Sequence, residues 1–163
     1  MENSDNIQVI VRVRPLNLRE KVENQKSCLR YSEDNNQTIF LDCKPDPKIF
    51  FFDLIANEKM SQSELFQQLG KPISLSALEG YNVCLFAYGQ TGAGKTYTMQ
   101  GNLESLDDKG LQPRIFDQIF MLINKMKKDS AEFLVKCSYM EVYNEQIMDL
   151  VNNIRGKIIF FFS

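Results

Sequence analysis

The chain has 163 residues, 44% of them hydrophobic, which is enough for one domain with a real core. A net charge of −2, with lysines and arginines scattered instead of striped, argues against a nucleic-acid partner. There is no histidine, and Cys28, Cys43, Cys84 and Cys137 form no C-x-x-C pair, which argues against a zinc site or a Cys-His nucleophile.

The polar N-terminus, Met1 to Asp5, reads as a tail unlike a signal peptide, and no apolar run approaches the ~20 residues of a membrane span. A cytoplasmic protein with reduced thiols is expected. Ile7, Val9, Val11 and Val13 alternate with Gln8, Arg12 and Arg14, predicting a strand that Pro15 ends, with both arginines on one face. Residues 17–48 are polar and predict small antiparallel excursions, including a short strand from Thr38 to Leu41. The run Ile49 to Phe52 predicts a second main strand, its consecutive apolar residues implying burial on both faces.

Ser61-Gln62-Ser63-Glu64 has the form of a capping box, followed by Leu65, Phe66, Leu69, Ile73, Leu75 and Leu78 at roughly helical spacing. A helix is expected over about 61–79, kinked by Pro72 and stopped by Gly80. Tyr81 to Tyr88 is apolar except for Asn82, as in a buried central strand of a parallel sheet.

That run feeds Gly89-Gln90-Thr91-Gly92-Ala93-Gly94-Lys95-Thr96, which matches G-x-x-x-x-G-K-[ST]. Glycines let successive backbone N–H groups converge on phosphate oxygens, and the helix opening beyond them adds a positive dipole. In this pattern Lys95 reaches the β- and γ-phosphates and the Thr96 hydroxyl sits on Mg²⁺. A phosphate cradle alone supplies neither a positioned water nor a γ-phosphate sensor, so it signals binding more strongly than hydrolysis.

Two further features suit a nucleotide. Arg12, Arg14 and Pro15 offer flat surfaces to a purine, and Tyr97, directly after the loop, offers a ring to the same base. A surface strand end explains the first group as well, and a packing aromatic explains Tyr97, so the residues alone leave both open. Asp107-Asp108 and the group Glu141, Glu145 and Asp149 read as solvated charges.

Gly101 is expected to interrupt the helix begun at Lys95, and 102–110 reads as a surface loop. A helix starting near Pro113 carries a stripe of Ile115, Phe116, Ile119, Phe120, Ile123 and Met126, expected as core packing, and ends in Lys125, Lys127 and Lys128. Glu132 to Tyr143 predicts a strand, and Asn144 to Leu150 a short helix. The order describes an α/β layered domain.

Several segments in the right order make the chain resemble the N-terminal half of a kinesin motor domain. They are Arg12 to Pro15, Phe51-Phe52-Asp53, Leu78 to Asn82, the extended string Phe86 to Met99, Gly110 to Arg114, and Ser138 to Leu150. The resemblance covers residues 6–150 and leaves 1–5 as a tail. It implies a phosphate-loop NTPase of kinesin type, with a central, mostly parallel sheet flanked by helices, incomplete in this chain.

By the same resemblance, Arg12, Arg14 and Pro15 flank adenine together with Tyr97, residues 89–96 wrap the phosphates of Mg-ATP, and 101–110 is an insertion of variable length. The family hydrolyses ATP and moves along microtubules, implying a cytoskeletal location. Its two γ-phosphate sensors, N-x-x-S-S-R-S-H and D-L-A-G-S-E, lie downstream of the matched region, and neither string occurs here. The main microtubule-binding helix lies there too, as do the strands that flank residues 81–88. The apolar tail 151–163 departs from the family pattern and reads as non-native read-through. A truncated, poorly folded product is therefore expected, and the oligomeric state stays open. Two other functions remain: an ATP-binding fragment without turnover, and an unrelated small phosphate-loop NTPase or kinase.

Overall fold

In chain order the elements are β1 (Ile10–Arg12), α1 (Leu18–Val22), β2 (Leu29–Tyr31), β3 (Thr38–Leu41), β4 (Lys48–Phe51) and β5 (Leu54–Ala56). They come from a computed structural model that describes residues 7–126, 132–151 and 154–155. The N-terminal tail, Lys127, Lys128 and most of the 151–163 tail lie outside the described residues. The chain divides into two units, 1–122 and 123–163.

In the first unit β1 and β5 pair in parallel, with Ile10 opposite Leu54 and Arg12 opposite Ala56. Asp53 anchors the start of the pair, its carboxylate accepting from the Val9 N–H at 2.7 Å. Strands β2, β3 and β4 form a separate antiparallel sheet in that order. This corrects the reading of Ile49 to Phe52 as a doubly buried main strand, because β4 is exposed along its length and Phe51 is 74% exposed. Buried partnership with β1 falls instead to the shorter run Leu54-Ile55-Ala56. Four apolar residues in a row can equally form the edge of a small sheet, where only one flank is paired.

Helical backbone runs through α2 (Gln62–Leu65), a π segment (Phe66–Gly70) and α3 (Lys71–Leu78). The capping box is present: the Ser61 hydroxyl accepts from the Glu64 N–H, and Glu64 accepts from the Ser61 N–H at 2.8 Å. Pro72 cannot donate to a carbonyl in the preceding turn, and its ring crowds that carbonyl. The widened turn before it, with the Lys71 N–H bonded to the Phe66 carbonyl, accommodates the misfit. Ala56, Leu65, Phe66, Leu69 and Leu111 form the core here, with Ile10, Met60, Leu85 and Ile115 against it.

Residues 81–88 are not a strand. Backbone groups hold a strand only when a neighbour pairs them, and no described strand pairs with this run. Leu85 reaches the core, whereas Tyr81, Phe86 and Tyr88 are exposed. The chain then forms α4 (Lys95–Met99) and α5 (Leu111–Met126). Leu111 and Ile115 pack on the core, but Phe116, Phe120 and Met126 are exposed, which corrects the reading of the whole stripe as core. The apolar face of α5 is wider than the core beneath it.

The second unit holds the antiparallel sheet of β6 (Met140–Tyr143), β7 (Gln146–Asp149) and β8 (Ile154–Arg155). Residues 132–139 are outside it, and the expected helix at 144–150 is a hairpin instead. Asn144 and Glu145 have φ of 49° and 60°, the left-handed pair that a two-residue type I′ turn requires. Glycine takes that conformation without the Cβ penalty. Glu145→Gly is expected to stabilise the hairpin by about 1 kcal/mol, read as slower amide exchange in β6 and β7.

Candidate functional site

A cleft of about 430 Å³ opens where β1 and β5 run out of the sheet. Arg12, Arg14 and Pro15 leave β1 along one wall, Asn57, Glu58 and Met60 leave β5 along another, and Gly92, Ala93, Gly94 and Tyr97 close it. The structure thus brings together the strand-end residues, the second half of the glycine loop and the tyrosine that the sequence singled out. Gly89, Gln90, Thr91, Lys95 and Thr96 continue the same loop outside the cleft lining.

The loop's shape follows from its glycines. Gly89, Gly92 and Gly94 have φ of 149°, 80° and 101°, and Gly94 caps α4 in the left-handed region without a side-chain cap. The first N–H groups of a helix have no partner within it, so this start leaves donors available. Lys95 folds back over the loop, its Nζ donating to the carbonyls of Gly89 at 2.7 Å and Gln90 at 2.9 Å. Thr96 stands exposed in the first turn of α4, while its carbonyl accepts from the N–H groups of Gln100 and Gly101 at the far end.

Arg12 and Tyr97 form one unit. The guanidinium carbon lies 5.2 Å from the centre of the Tyr97 ring, a cation–π arrangement. Arg12 Nη1 also donates to Gln62 Oε1 at 2.8 Å and Thr98 Oγ1 at 3.0 Å. Burial works against the Arg12 charge and Tyr97 partly offsets it, though an arginine stays protonated throughout the physiological range. The Tyr97 hydroxyl donates to Asp108 Oδ1 at 3.1 Å, and burial together with that bond pushes the phenol up from its ordinary pKa. Tyr97 therefore remains a neutral donor, and the residue is 47% exposed at the cleft.

Arg14 is held differently. Its guanidinium grips Glu20 with both ends, Nη2 to Oε1 at 2.6 Å and Nη1 to Oε2 at 2.8 Å. Glu20 in turn closes a capping box with Asn17 at the start of α1. The Arg14 bond and the Asn17 N–H hold the Glu20 carboxyl at about 2, against an ordinary 4.5. A carboxylate lowered in the fold adds stability that is complete above pH 4.5 and lost as pH falls toward 2. The stability difference between the wild type and Glu20→Gln is expected to shrink across that window in denaturant titrations at successive pH values.

Sequence reasoning missed α1, although Asn17-Leu18-Arg19-Glu20 carries the spacing of a capping box. Asn57, Glu58 and Met60 had no signal, because their place depends on where β5 ends. Asp108 was read as a solvated charge, yet its carboxylate accepts from Tyr97 and Ser105. Arg114 was noted only as part of a matched segment. It latches the 102–110 loop, donating to the carbonyls of Lys109 and Leu106 at 2.8 Å and Asp107 at 2.9 Å.

A glycine loop opening a helix beside a parallel strand pair defines a phosphate-loop NTPase of mixed α/β type, its parallel component carried by β1 and β5. The description of the kinesin motor domain matches residues 12–159, and the chain belongs to the kinesin motor family, whose members bind nucleotide and microtubules. It is 45% identical over 156 residues to the kinesin-like protein KIN-12E of Oryza sativa subsp. japonica, a match covering 90% of this chain and 8% of that protein. Against the kinesin-like protein KIF15-B of Xenopus laevis it is 44% identical over 159 residues, covering 91% of this chain and 11% of that protein. The solved structure of a fast kinesin superposes with a TM-score of 0.78 at 36% identity, over 90% of this chain and 42% of that one. The chain thus spans a small part of the relatives it matches. Among the described residues, no helix is long and apolar enough to cross a membrane and no acidic or cysteine cluster could hold a metal by itself.

Proposed function

We propose that this chain supplies the ATP-binding part of a microtubule motor. The observation that carries the reading is the cleft, whose lining joins Gly92, Ala93 and Gly94 of the glycine loop with Arg12, Arg14, Pro15 and Tyr97. Residues 89–96 would wrap the triphosphate with backbone donors, and Lys95 would exchange its two loop carbonyls for phosphate oxygens. Pro15 and the Arg12–Tyr97 pair would flank the adenine.

The chain's residues also fit Mg²⁺. Thr96 offers an exposed hydroxyl oxygen in the first turn after the loop, the hard ligand such a cation takes, and the phosphates would bring the remaining oxygens. When bound, Mg²⁺ neutralises charge on the β- and γ-phosphate oxygens. Binding and turnover remain separate, since the sequence contains the cradle but neither family sensor string.

Equilibrium binding of ATP to the 163-residue chain, with and without Mg²⁺, tests the reading. Saturable binding strengthened by Mg²⁺ is expected, and no binding overturns it. Turnover measured with and without microtubules then separates a working motor segment from a binding fragment. Stimulation by microtubules supports the former, and binding without turnover supports the latter.

A further inference from the structure

Gln62 stands outside the cleft and is 2% exposed, yet its amide is bonded to the elements that build the cleft. Oε1 accepts from Arg12 Nη1 at 2.8 Å, while Nε2 donates to the Tyr97 carbonyl at 2.7 Å and the Asp108 carbonyl at 3.2 Å. The same Asp108 accepts from the Tyr97 hydroxyl. One buried amide thus holds the guanidinium at its tip, the backbone beneath the ring, and the loop residue that fixes the ring's far end. Networks of this kind are rigid when every member is satisfied and lax when one is removed.

We propose that Gln62 is a positioning residue for the base, fixing Arg12 against Tyr97 so that the pair presents one set surface to a nucleotide's ring. The inference rests on the nucleotide reading above. Without Gln62, Arg12 keeps the Thr98 hydroxyl at 3.0 Å as its remaining side-chain hydrogen-bond partner among the described residues and regains rotamer freedom that base binding must then remove. The phosphate loop makes none of these bonds through its own side chains, so its grip on a triphosphate is left intact.

The test compares ATP with inorganic tripolyphosphate, which occupies the loop but has no base, on the full 163-residue chain. The wild type is expected to prefer ATP. Gln62→Met is expected to lose about fivefold in ATP affinity, the scale of one cation–π contact, with tripolyphosphate affinity unchanged. Gln62→Glu keeps an acceptor for Arg12 but sets a carboxylate oxygen against the Tyr97 and Asp108 carbonyls, so it is expected to lose the preference as well. Equal losses for both ligands, or an undiminished preference in Gln62→Met, overturn the proposal. Should the Met variant not fold, Gln62→Glu decides: a lost preference with tripolyphosphate binding kept supports the proposal, and an undiminished preference overturns it. A wild type that binds both ligands equally sinks the positioning role and leaves the phosphate cradle standing. A wild type that binds neither overturns the nucleotide reading and this inference with it.

Discussion

Lys95→Ala is expected to reduce the chain's ATP affinity by about a hundredfold, equivalent to roughly 3 kcal/mol, in a direct titration. One loss carries the effect, that of the ammonium, a compact charge that the triphosphate needs at the centre of the loop. In the free chain Nζ donates to the carbonyls of Gly89 and Gln90, at 2.7 and 2.9 Å, and these bonds are given up for phosphate oxygens, so their absence in the alanine variant offsets a part of the loss instead of adding to it. Lys95→Arg is expected to restore little, since a planar fork does not occupy the position of a rotating ammonium. ATP affinity within a fewfold of wild type in Lys95→Ala would count against the loop as the phosphate site.

The second large effect is on stability. Gly101 has φ of +68°, and a Cβ there would land on the carbonyl oxygen of Asp108 and the backbone nitrogen of Gly110. Both obstacles are backbone. They are fixed by the Asn102 N–H to the Asp108 carbonyl at 3.0 Å and the Gly110 N–H to the Gln100 carbonyl at 2.8 Å. Gly101→Ala is expected to cost on the order of 3 kcal/mol or more in denaturant unfolding, adding overlap to the left-handed penalty. Gly80→Ala isolates that penalty, because Gly80 has φ of +95° with nothing within 4 Å of a Cβ, and about 1 kcal/mol is expected. Equal costs at the two sites would contradict the overlap argument.

The phosphate loop was legible because its chemistry is written in eight consecutive residues and needs little from the rest of the chain. The Ser61–Glu64 capping box was legible for the same reason. Legibility failed where partners decide. Ile49 to Phe52 and Leu54 to Ala56 are both apolar, and the choice of which one pairs with β1 is made by register, invisible in either run alone. Residues 81–88 have the composition of a buried strand and no described neighbour to make them one. At 144–150 the polar residues suited a helix start, but left-handed Asn144 and Glu145 turned the chain back on itself.

The site shows the same division. Arg12, Arg14, Pro15 and Tyr97 could be picked by type, whereas Gln62 could not. It looks like a solvated polar residue inside a cap, and its partners Arg12 and Tyr97 lie 50 and 35 positions away. Burial of its amide is a property of the assembled unit, and no local pattern announces it.

The parallel pairing of β1 with β5 has a consequence for how such a cleft can vary. Strands running in the same direction deliver both exits to the same end, so residues 13–17 and Asn57, Glu58 and Met60 face one opening although their register is fixed behind them. Either exit can lengthen or shorten by a residue and change the aperture, while Ile10 stays opposite Leu54 and the packing of Ala56 stays the same. An antiparallel pair would send one exit to the far end, and each change in length would then trade one rim against the anchor of the other.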